Sequence, residues 1–339
     1  FDTLAGNLVS SDSNGVGDVF VRDCEMGQTV RVSIASDNTS GNGHSYAPAL
    51  SAQGRYIAFV SSATNLVADD TNDHDDVFVH DRHSGQTILV SASSEGEQGN
   101  DSIVGYCDIS GTGRYVAFGS WADNLVPDDT NNSDDVFIHD CETGETVRAS
   151  VAADGSGGNY GGEYPSLSAD GQYVCFQSSS SNLVAGDTNA ATDVFVRDLF
   201  GGQILRASVS SKGMEGNDHS FFPSISPDGR MVVFVSAADN LVSGDVNGAD
   251  DVLAYNLQTQ ETSLISLSDL GEQASASSEM CSVSGDGAHI AFGSHADNLV
   301  SGDSNNKKDV FVRDLEAVGH TIRFTASPSA DPNPVDAGA

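Results

Sequence analysis

The chain has 339 residues, with 49 acidic and 14 basic side chains, so its formal net charge at pH 7 is −35. Nucleic acids and anionic membranes are recognised through basic patches, and this charge therefore argues against both as partners. No apolar run approaches the roughly 18 residues of a membrane-spanning helix, which argues against direct membrane insertion.

The tripeptide Asn-Leu-Val recurs along almost the whole chain. Its asparagines are residues 7, 65, 124, 182, 240 and 298, at intervals of 58 or 59 residues. A fixed period of this length is typical of proteins in which one small structural unit is repeated. The sequence therefore predicts six copies of one unit.

Each copy contains four short predicted strands. The first ends in a Ser-x-x-Gly turn, as at residues 168–171, and the second is of the Arg-Tyr-Val-Ala-Phe type, as at 114–118. A long loop with Asn-Leu-Val leads to a third strand, Asp-Val-Phe-Val, and a Thr-Gly turn at 143–144 precedes a fourth at 146–150. β-Branched and aromatic runs separated by Gly, Asp and Asn are typical of strands and turns. Phenylalanines recur in register in the second and third strands.

Four strands per repeat, in six repeats, predict an all-β, six-bladed β-propeller with four-stranded antiparallel blades. Packing of neighbouring blades would bury the in-register Phe and Val positions. The first blade is predicted to be incomplete, because Phe1 precedes Asn7 by the same six residues that separate Phe59 from Asn65. Its missing innermost strand is expected to come from upstream residues or from a neighbouring subunit.

The turn sequences at 226–230 (Ser-Pro-Asp-Gly-Arg) and 168–173 (Ser-Ala-Asp-Gly-Gln-Tyr), each followed by Val-x-Phe, resemble the TolB-type, WD-like β-propeller repeat. The resemblance covers about residues 1–327 and implies a propeller domain over that range. It also implies a binding or scaffolding role, although some such propellers are appended to hydrolases. The chain departs from plain TolB repeats in its long, Asp-rich loop between the second and third strands.

Residues 328–339 read as a Pro-rich linker that resembles the opening of an immunoglobulin-like or PKD-type domain. We therefore expect the chain to be part of a longer, multidomain protein that is extracellular or on the cell surface.

Every copy carries the motif Asp-x-Asn-x-x-x-Asp immediately before its third strand. Two carboxylates and a carboxamide within seven residues are hard oxygen ligands of the kind that Ca²⁺ prefers, and their spacing mimics the front of an EF-hand loop, whose fifth position would offer a backbone carbonyl. The motif predicts up to six Ca²⁺ ions, one per blade, with these ligands: Asp12, Asn14, Asp18, Asp70, Asn72, Asp76, Asp129, Asn131, Asp135, Asp187, Asn189, Asp193, Asp245, Asn247, Asp251, Asp303, Asn305 and Asp309.

The alternative is that Asp and Asn act here only as turn formers before a strand. If Ca²⁺ binds, copy six should bind it most weakly, because Lys307 and Lys308 lie inside its loop. Copies two, three and five carry an additional acid, Asp75, Asp134 and Asp250, and should bind it more tightly.

Three functions are compatible with these features. The first is a non-enzymatic, calcium-binding module for adhesion, scaffolding or assembly, with a protein or glycan partner at the loop face. It is favoured because the blades are nearly identical, whereas catalysis needs asymmetry. His44 and His219 lie in opposite blades, too far apart for a catalytic pair, and no catalytic residue is predicted.

The second function is a carbohydrate-binding or carbohydrate-active domain, in which Trp121 would stack on a sugar. The third is a calcium-dependent hydrolase, which would need an open metal site at the central channel.

Overall fold

The computed structural model describes residues 1–10, 12–316 and 320–324, and its regular structure consists of 23 strands in six antiparallel sheets. The sheets follow one another along the chain, one per repeat, which confirms the predicted six-bladed β-propeller. The predicted linker at 328–339 lies outside the described residues. No helix that could cross a membrane occurs in the described part of the chain.

Within each blade the strands are hydrogen-bonded in chain order, from the innermost outward. Blade one contains three described strands and the other blades four each. Their bounds are β1 Asp2–Thr3, β2 Asp18–Asp23 and β3 Gln28–Arg31 in blade one; β4 Ser45–Leu50, β5 Tyr56–Ser61, β6 Asp76–Asp81 and β7 Gln86–Leu89 in blade two; β8 Ile103–Ile109, β9 Tyr115–Ser120, β10 Asp135–Asp140 and β11 Thr146–Arg148 in blade three; β12 Gly162–Leu167, β13 Tyr173–Ser178, β14 Asp193–Asp198 and β15 Ile204–Arg206 in blade four; β16 Ser220–Ile225, β17 Met231–Ser236, β18 Asp251–Asn256 and β19 Thr262–Leu264 in blade five; and β20 Ser278–Val283, β21 His289–Ser294, β22 Asp309–Asp314 and β23 His320–Arg323 in blade six.

The repeated phenylalanines form the centre of each blade. In blade two, Phe59 of β5 pairs with Phe78 of β6, and both side chains are completely buried with ring centroids 6.0 Å apart. Blades three, four and six repeat this pair, and Phe1 stacks on Phe20 at 5.9 Å in blade one. Burial of a Phe side chain stabilises a fold by about 1.5–3 kcal/mol. The predicted in-register phenylalanines are therefore confirmed as core residues.

Each complete innermost strand contains a β-bulge near its middle. One residue of each bulge has a left-handed backbone: Ala47, Gly105, Tyr164, Phe222 and Met280, with φ between 50° and 71°. Only one of the five is a glycine, so the other four hold a conformation that costs a side-chain-bearing residue about 1–3 kcal/mol. The bulges therefore set the direction of side chains on the innermost strands at an energetic cost.

Blade one lacks an innermost strand among the described residues, so β1 forms the inner edge of that sheet. The consequence is visible on blade six. Val310 of β22 is 40% exposed, whereas the equivalent valines of the other five blades are completely buried. In blades two and five this valine belongs to a hydrophobic cluster shared with the next blade along the chain. The predicted incompleteness of blade one is confirmed. It leaves the face of blade six that carries Val310 exposed to solvent.

Candidate functional site

The first and last aspartates of the Asp-x-Asn-x-x-x-Asp motif come together in every blade, where one further side chain bridges them. In blade three, Nη1 of Arg148 lies 3.0 Å from Oδ1 of Asp129 and 3.3 Å from Oδ2 of Asp135. The same guanidinium nitrogen bridges the same oxygens in blades one, four and six, through Arg31, Arg206 and Arg323. In these four blades the fourth strand therefore supplies a cation to the predicted metal site.

Blades two and five bridge the two aspartates with a neutral side chain. Leucine stands at the arginine position, at Leu89 and Leu264. In blade two, Nε2 of Gln98 donates to Oδ1 of Asp70 at 2.8 Å and to Oδ2 of Asp76 at 2.9 Å. Gln273 makes both contacts at 2.8 Å with Asp245 and Asp251 in blade five. In the part of the chain that the structure describes, no lysine or arginine forms an ion pair with the aspartates of these two blades, so each pair keeps both formal negative charges.

The motif asparagines bond to the loop backbone and, in blades three to six, also donate to the last aspartate of the motif. In blade three, Oδ1 of Asn131 accepts the N–H of Ser133 at 2.9 Å, and Nδ2 donates to the carbonyl of Gly158 at 3.0 Å. Asn72 makes the equivalent bonds with His74 and Gly99 in blade two. The residue at the fifth motif position therefore offers its N–H to the asparagine. These bonds correspond to the turn-forming alternative for the motif asparagines, and in blades one to five they tie the loop to the connection into the next blade.

The last aspartate of each motif is deeply buried at the first position of the third strand. In blades one to five its Oδ1 accepts a bond from a serine hydroxyl fifteen residues later, as Ser91 donates to Asp76 at 2.6 Å. Burial raises the pKa of Asp76 to about 6, against the opposing effect of this hydroxyl, and burial also raises the pKa of Asp135 to about 6 although Arg148 lies beside it. The effect of desolvation on the pKa of these carboxylates is therefore larger than the opposing effect of the groups that contact them.

The additional acids of copies two, three and five have their contacts elsewhere. Oδ2 of Asp75 accepts the Tyr46 hydroxyl at 2.7 Å. Burial raises the pKa of Asp134 to about 6, with a contribution from Glu163 on the innermost strand of the next blade. The structure therefore connects these acids with the innermost strands, and it does not connect them with the bridged aspartate pairs.

A cleft of about 560 Å³ opens on the loop face between blades four and five. Its lining includes Glu163, Tyr164, His219, Phe222 and Asp250. The Nδ1 atom of His219 accepts the backbone N–H of Thr192 at 2.9 Å. This cleft combines aromatic side chains with carboxylates.

The bridging residues were missed at the sequence level, although the repeat contains a signal for them. Arginine stands 13 residues after the last aspartate in blades one, three and four, where position 22 is Ser40, Gly157 or Glu215. Leucine stands at position 13 in blades two and five, where position 22 is Gln98 or Gln273. The two positions change together, which is expected if their side chains occupy the same space.

Among the described residues, no group of three or more His, Cys, Asp or Glu side chains is placed to hold a metal ion. The five cysteines are all free thiols.

No family model matches the sequence, and no curated protein matches it either. Solved structures are similar in fold. TolB from Acinetobacter baumannii has a TM-score of 0.51 and 15% identity over 91% of this chain, which spans 59% of that protein's length. A putative TolB from Agrobacterium tumefaciens has a TM-score of 0.53 and 13% identity over 90% of this chain and 87% of its own. An oligogalacturonate lyase in complex with manganese has a TM-score of 0.53 and 12% identity over 92% and 73% of the two chains.

The chain has a TolB-like propeller fold. Identities of 12–15% support this statement about fold alone.

Proposed function

We propose that the chain is a non-enzymatic binding module of a larger secreted or cell-surface protein, which serves adhesion, scaffolding or assembly and carries calcium in part of its blades. The observation that carries this proposal is the open cleft on the loop face. The two histidines that could suggest catalysis are instead used in hydrogen bonds to the backbone. His44 and His219 each accept a backbone N–H through Nδ1, at 2.9 Å. The partner at the loop face is proposed to be a protein or a glycan.

We place calcium in blades two and five, because the residues there fit the ion best. In the other four blades an arginine occupies the space between the two carboxylates, and a second cation there would be repelled. Blades two and five retain two carboxylates and a glutamine, whose Oε1 reaches the same point if the amide turns over. Oxygen donors of this kind suit Ca²⁺, and weak sites of about 10⁻⁴–10⁻³ M are typical of extracellular modules.

The calcium proposal is tested by thermal unfolding with CaCl₂, MgCl₂ or a chelator. A ligand that binds only the folded state at 100 times its Kd stabilises it by about 2.7 kcal/mol. We expect Asp70→Asn combined with Asp245→Asn to abolish the calcium-dependent rise in Tm. The matched control is Asp129→Asn combined with Asp187→Asn, the same positions in two arginine blades, which should leave that rise unchanged. Equal loss in both variants, or no rise in the unchanged protein, contradicts the proposal.

We further propose that an added strand completes blade one, from upstream residues or from a neighbouring subunit. The exposed inner edge of β1 and the uncovered Val310 favour this proposal, because a strand at that place would bond to one and cover the other. Blades two, four, five and six define its pattern, which is a small residue, two variable residues, Pro or Cys, one further residue and an aliphatic residue.

A glycan array, with and without chelator, separates the two kinds of partner. Binding of a defined oligosaccharide that depends on calcium would identify a carbohydrate-binding propeller. No binding to glycans, together with capture of a protein segment at the loop face, would identify a protein-binding one.

A further inference from the structure

A row of aromatic side chains runs across the innermost strands of blades three, four and five. The ring of Tyr106 lies 5.7 Å from that of Tyr164, which lies 5.0 Å from Phe222, and Phe222 lies 5.3 Å from Phe221. Tyr164 and Phe222 are the left-handed bulge residues of their strands. Among the five blades whose innermost strand is described, no other neighbouring pair combines two aromatic bulge residues, since the remaining bulges contain Ala47, Gly105 and Met280.

One buried glutamine organises the cleft beside this row. Gln177 is 7% exposed, its Nε2 donates to Oε1 of Glu163 at 3.1 Å, and its Oε1 accepts the backbone N–H of Phe222 at 2.8 Å. The residues at the same position in the other complete blades are valine or glycine, at 60, 119, 235 and 293. This glutamine therefore connects a carboxylate of blade four with the strained aromatic residue of blade five, and it occurs in this blade alone.

The charges around the cleft are almost entirely negative. Glu163 and Asp250 line it, and Asp218 and Glu279 carry further negative charge near Asp250. The nearby Lys308 is engaged with Glu279 at 2.7 Å. In the described part of the chain, no ion pair joins a lysine or arginine to Glu163 or Asp250.

We propose that this cleft binds an arginine or lysine side chain presented by a partner protein. The proposal rests on the proposed binding function and adds the chemistry of the ligand. The aliphatic stem of such a side chain packs on aromatic rings while its charged head group reaches the carboxylates. The net charge of −35 attracts cations and disfavours anionic ligands at the same face.

The test titrates three capped tripeptides, Gly-Arg-Gly, Gly-Lys-Gly and Gly-citrulline-Gly, into the protein and follows binding by NMR. Citrulline keeps the shape of arginine without its charge. We expect both cationic peptides to bind and the citrulline peptide to bind at least about tenfold more weakly, since bonds to charged groups contribute more than neutral ones. Spermidine, a free polyamine without a peptide backbone, is included to distinguish a peptide ligand from a small amine.

Two variants locate the site. Glu163→Gln removes one charge at constant shape and should weaken binding about tenfold. Gln177→Val introduces the residue found at the same place in blades two and five, and it should also weaken binding because Glu163 and Phe222 lose their common support. Glu145→Gln, in an exposed turn of blade three, is the matched control. Circular dichroism and Tm confirm that each variant is folded.

Several outcomes would overturn the inference. It fails if citrulline binds as well as arginine, if Glu163→Gln binds as tightly as the control, or if only spermidine binds. A partner protein or glycan that binds the loop face of Glu163→Gln and of the unchanged protein equally well would refute this ligand chemistry and leave the proposed function standing. If neither a protein nor a glycan binds the loop face of the unchanged protein, the proposed function itself is refuted.

Discussion

The two ways of bridging an aspartate pair should be interchangeable between blades. In blade three, Arg148→Leu reproduces the leucine of blade two and leaves the buried carboxylates of Asp129 and Asp135 without their guanidinium. Their side chains are 3% and 0% exposed, so water cannot replace the lost partner. Removing one member of a buried ion pair costs about 3–5 kcal/mol, and we expect a loss of that size.

Gly157→Gln should restore most of this loss. Residue 157 occupies the position of Gln98 in blade two, and its glutamine would bridge the same carboxylate oxygens. In the unchanged protein, a Cβ at residue 157 would lie 2.6 Å from Nη2 of Arg148, and the three nearest atoms all belong to that guanidinium. Gly157→Gln alone is therefore expected to destabilise the protein, whereas the double variant has the necessary space.

The assay is urea unfolding, followed by far-UV circular dichroism and by the fluorescence of Trp121, the single tryptophan, which lies in blade three. The double-mutant cycle should give a favourable coupling of about 2–3 kcal/mol, near the upper end for residues in contact. The loss in Arg148→Leu should also shrink toward pH 5, because the pKa of Asp135 is already raised to about 6 and a protonated carboxyl needs no cation. A double variant no more stable than Arg148→Leu would refute the reasoning.

Three further predictions concern other parts of the molecule. Burial raises the pKa of Asp76 from 3.8 to about 6, so the folded state holds this proton more tightly and the free energy of unfolding should fall by about 2 kcal/mol between pH 4 and pH 6. Asp76→Asn should flatten that part of the unfolding profile, and an unchanged slope would contradict the assignment. Gly113→Ala should destabilise severely because its Cβ would lie 2.1 Å from an aromatic carbon at φ +80°, whereas Gly85→Ala, at φ +74° with open space, should cost only about 1–2 kcal/mol on thermal unfolding. Placing the sequence of residues 41–58 in front of the chain should cover Val310 and raise Tm, while a scrambled sequence of equal composition should not; equal effects of the two would refute strand completion.

The fold could be predicted from the sequence because the recurring pattern itself indicates where the strands lie. Phe59 and Phe78 recur at fixed offsets in most copies, and their pairing across two strands follows from the alternation of a β-sheet. The incompleteness of blade one could be predicted in the same way, by comparing Phe1 with Phe59. What remained hidden was the exposure of Val310, which depends on the missing innermost strand of blade one and on nothing in its own repeat.

The candidate site was predicted less well, because a motif within one loop does not show what reaches it from outside. The structure brings the two aspartates of each motif together, but Arg148 and Gln98 approach them from other strands and loops. The motif alone does not decide the role of the asparagines, because Asn and Asp oxygens serve equally well in turns and in metal sites. The cleft of blades four and five depends on Gln177, a single departure from the repeat that has meaning only once its two partners are known.

Blade six has one exposed face, and blade one has three described strands. The six described blades therefore behave as a row with two ends. Each blade in such an array is stabilised mainly by its neighbours, so the terminal units should open before the central ones. The asparagines of the Asn-Leu-Val motifs strengthen this dependence, since Asn124 and Asn182 each accept a backbone N–H from the connection that enters their blade. Amide exchange should therefore be slowest in blades three and four and fastest in blades one and six, and any strand that closes the ring should slow exchange at both ends at once.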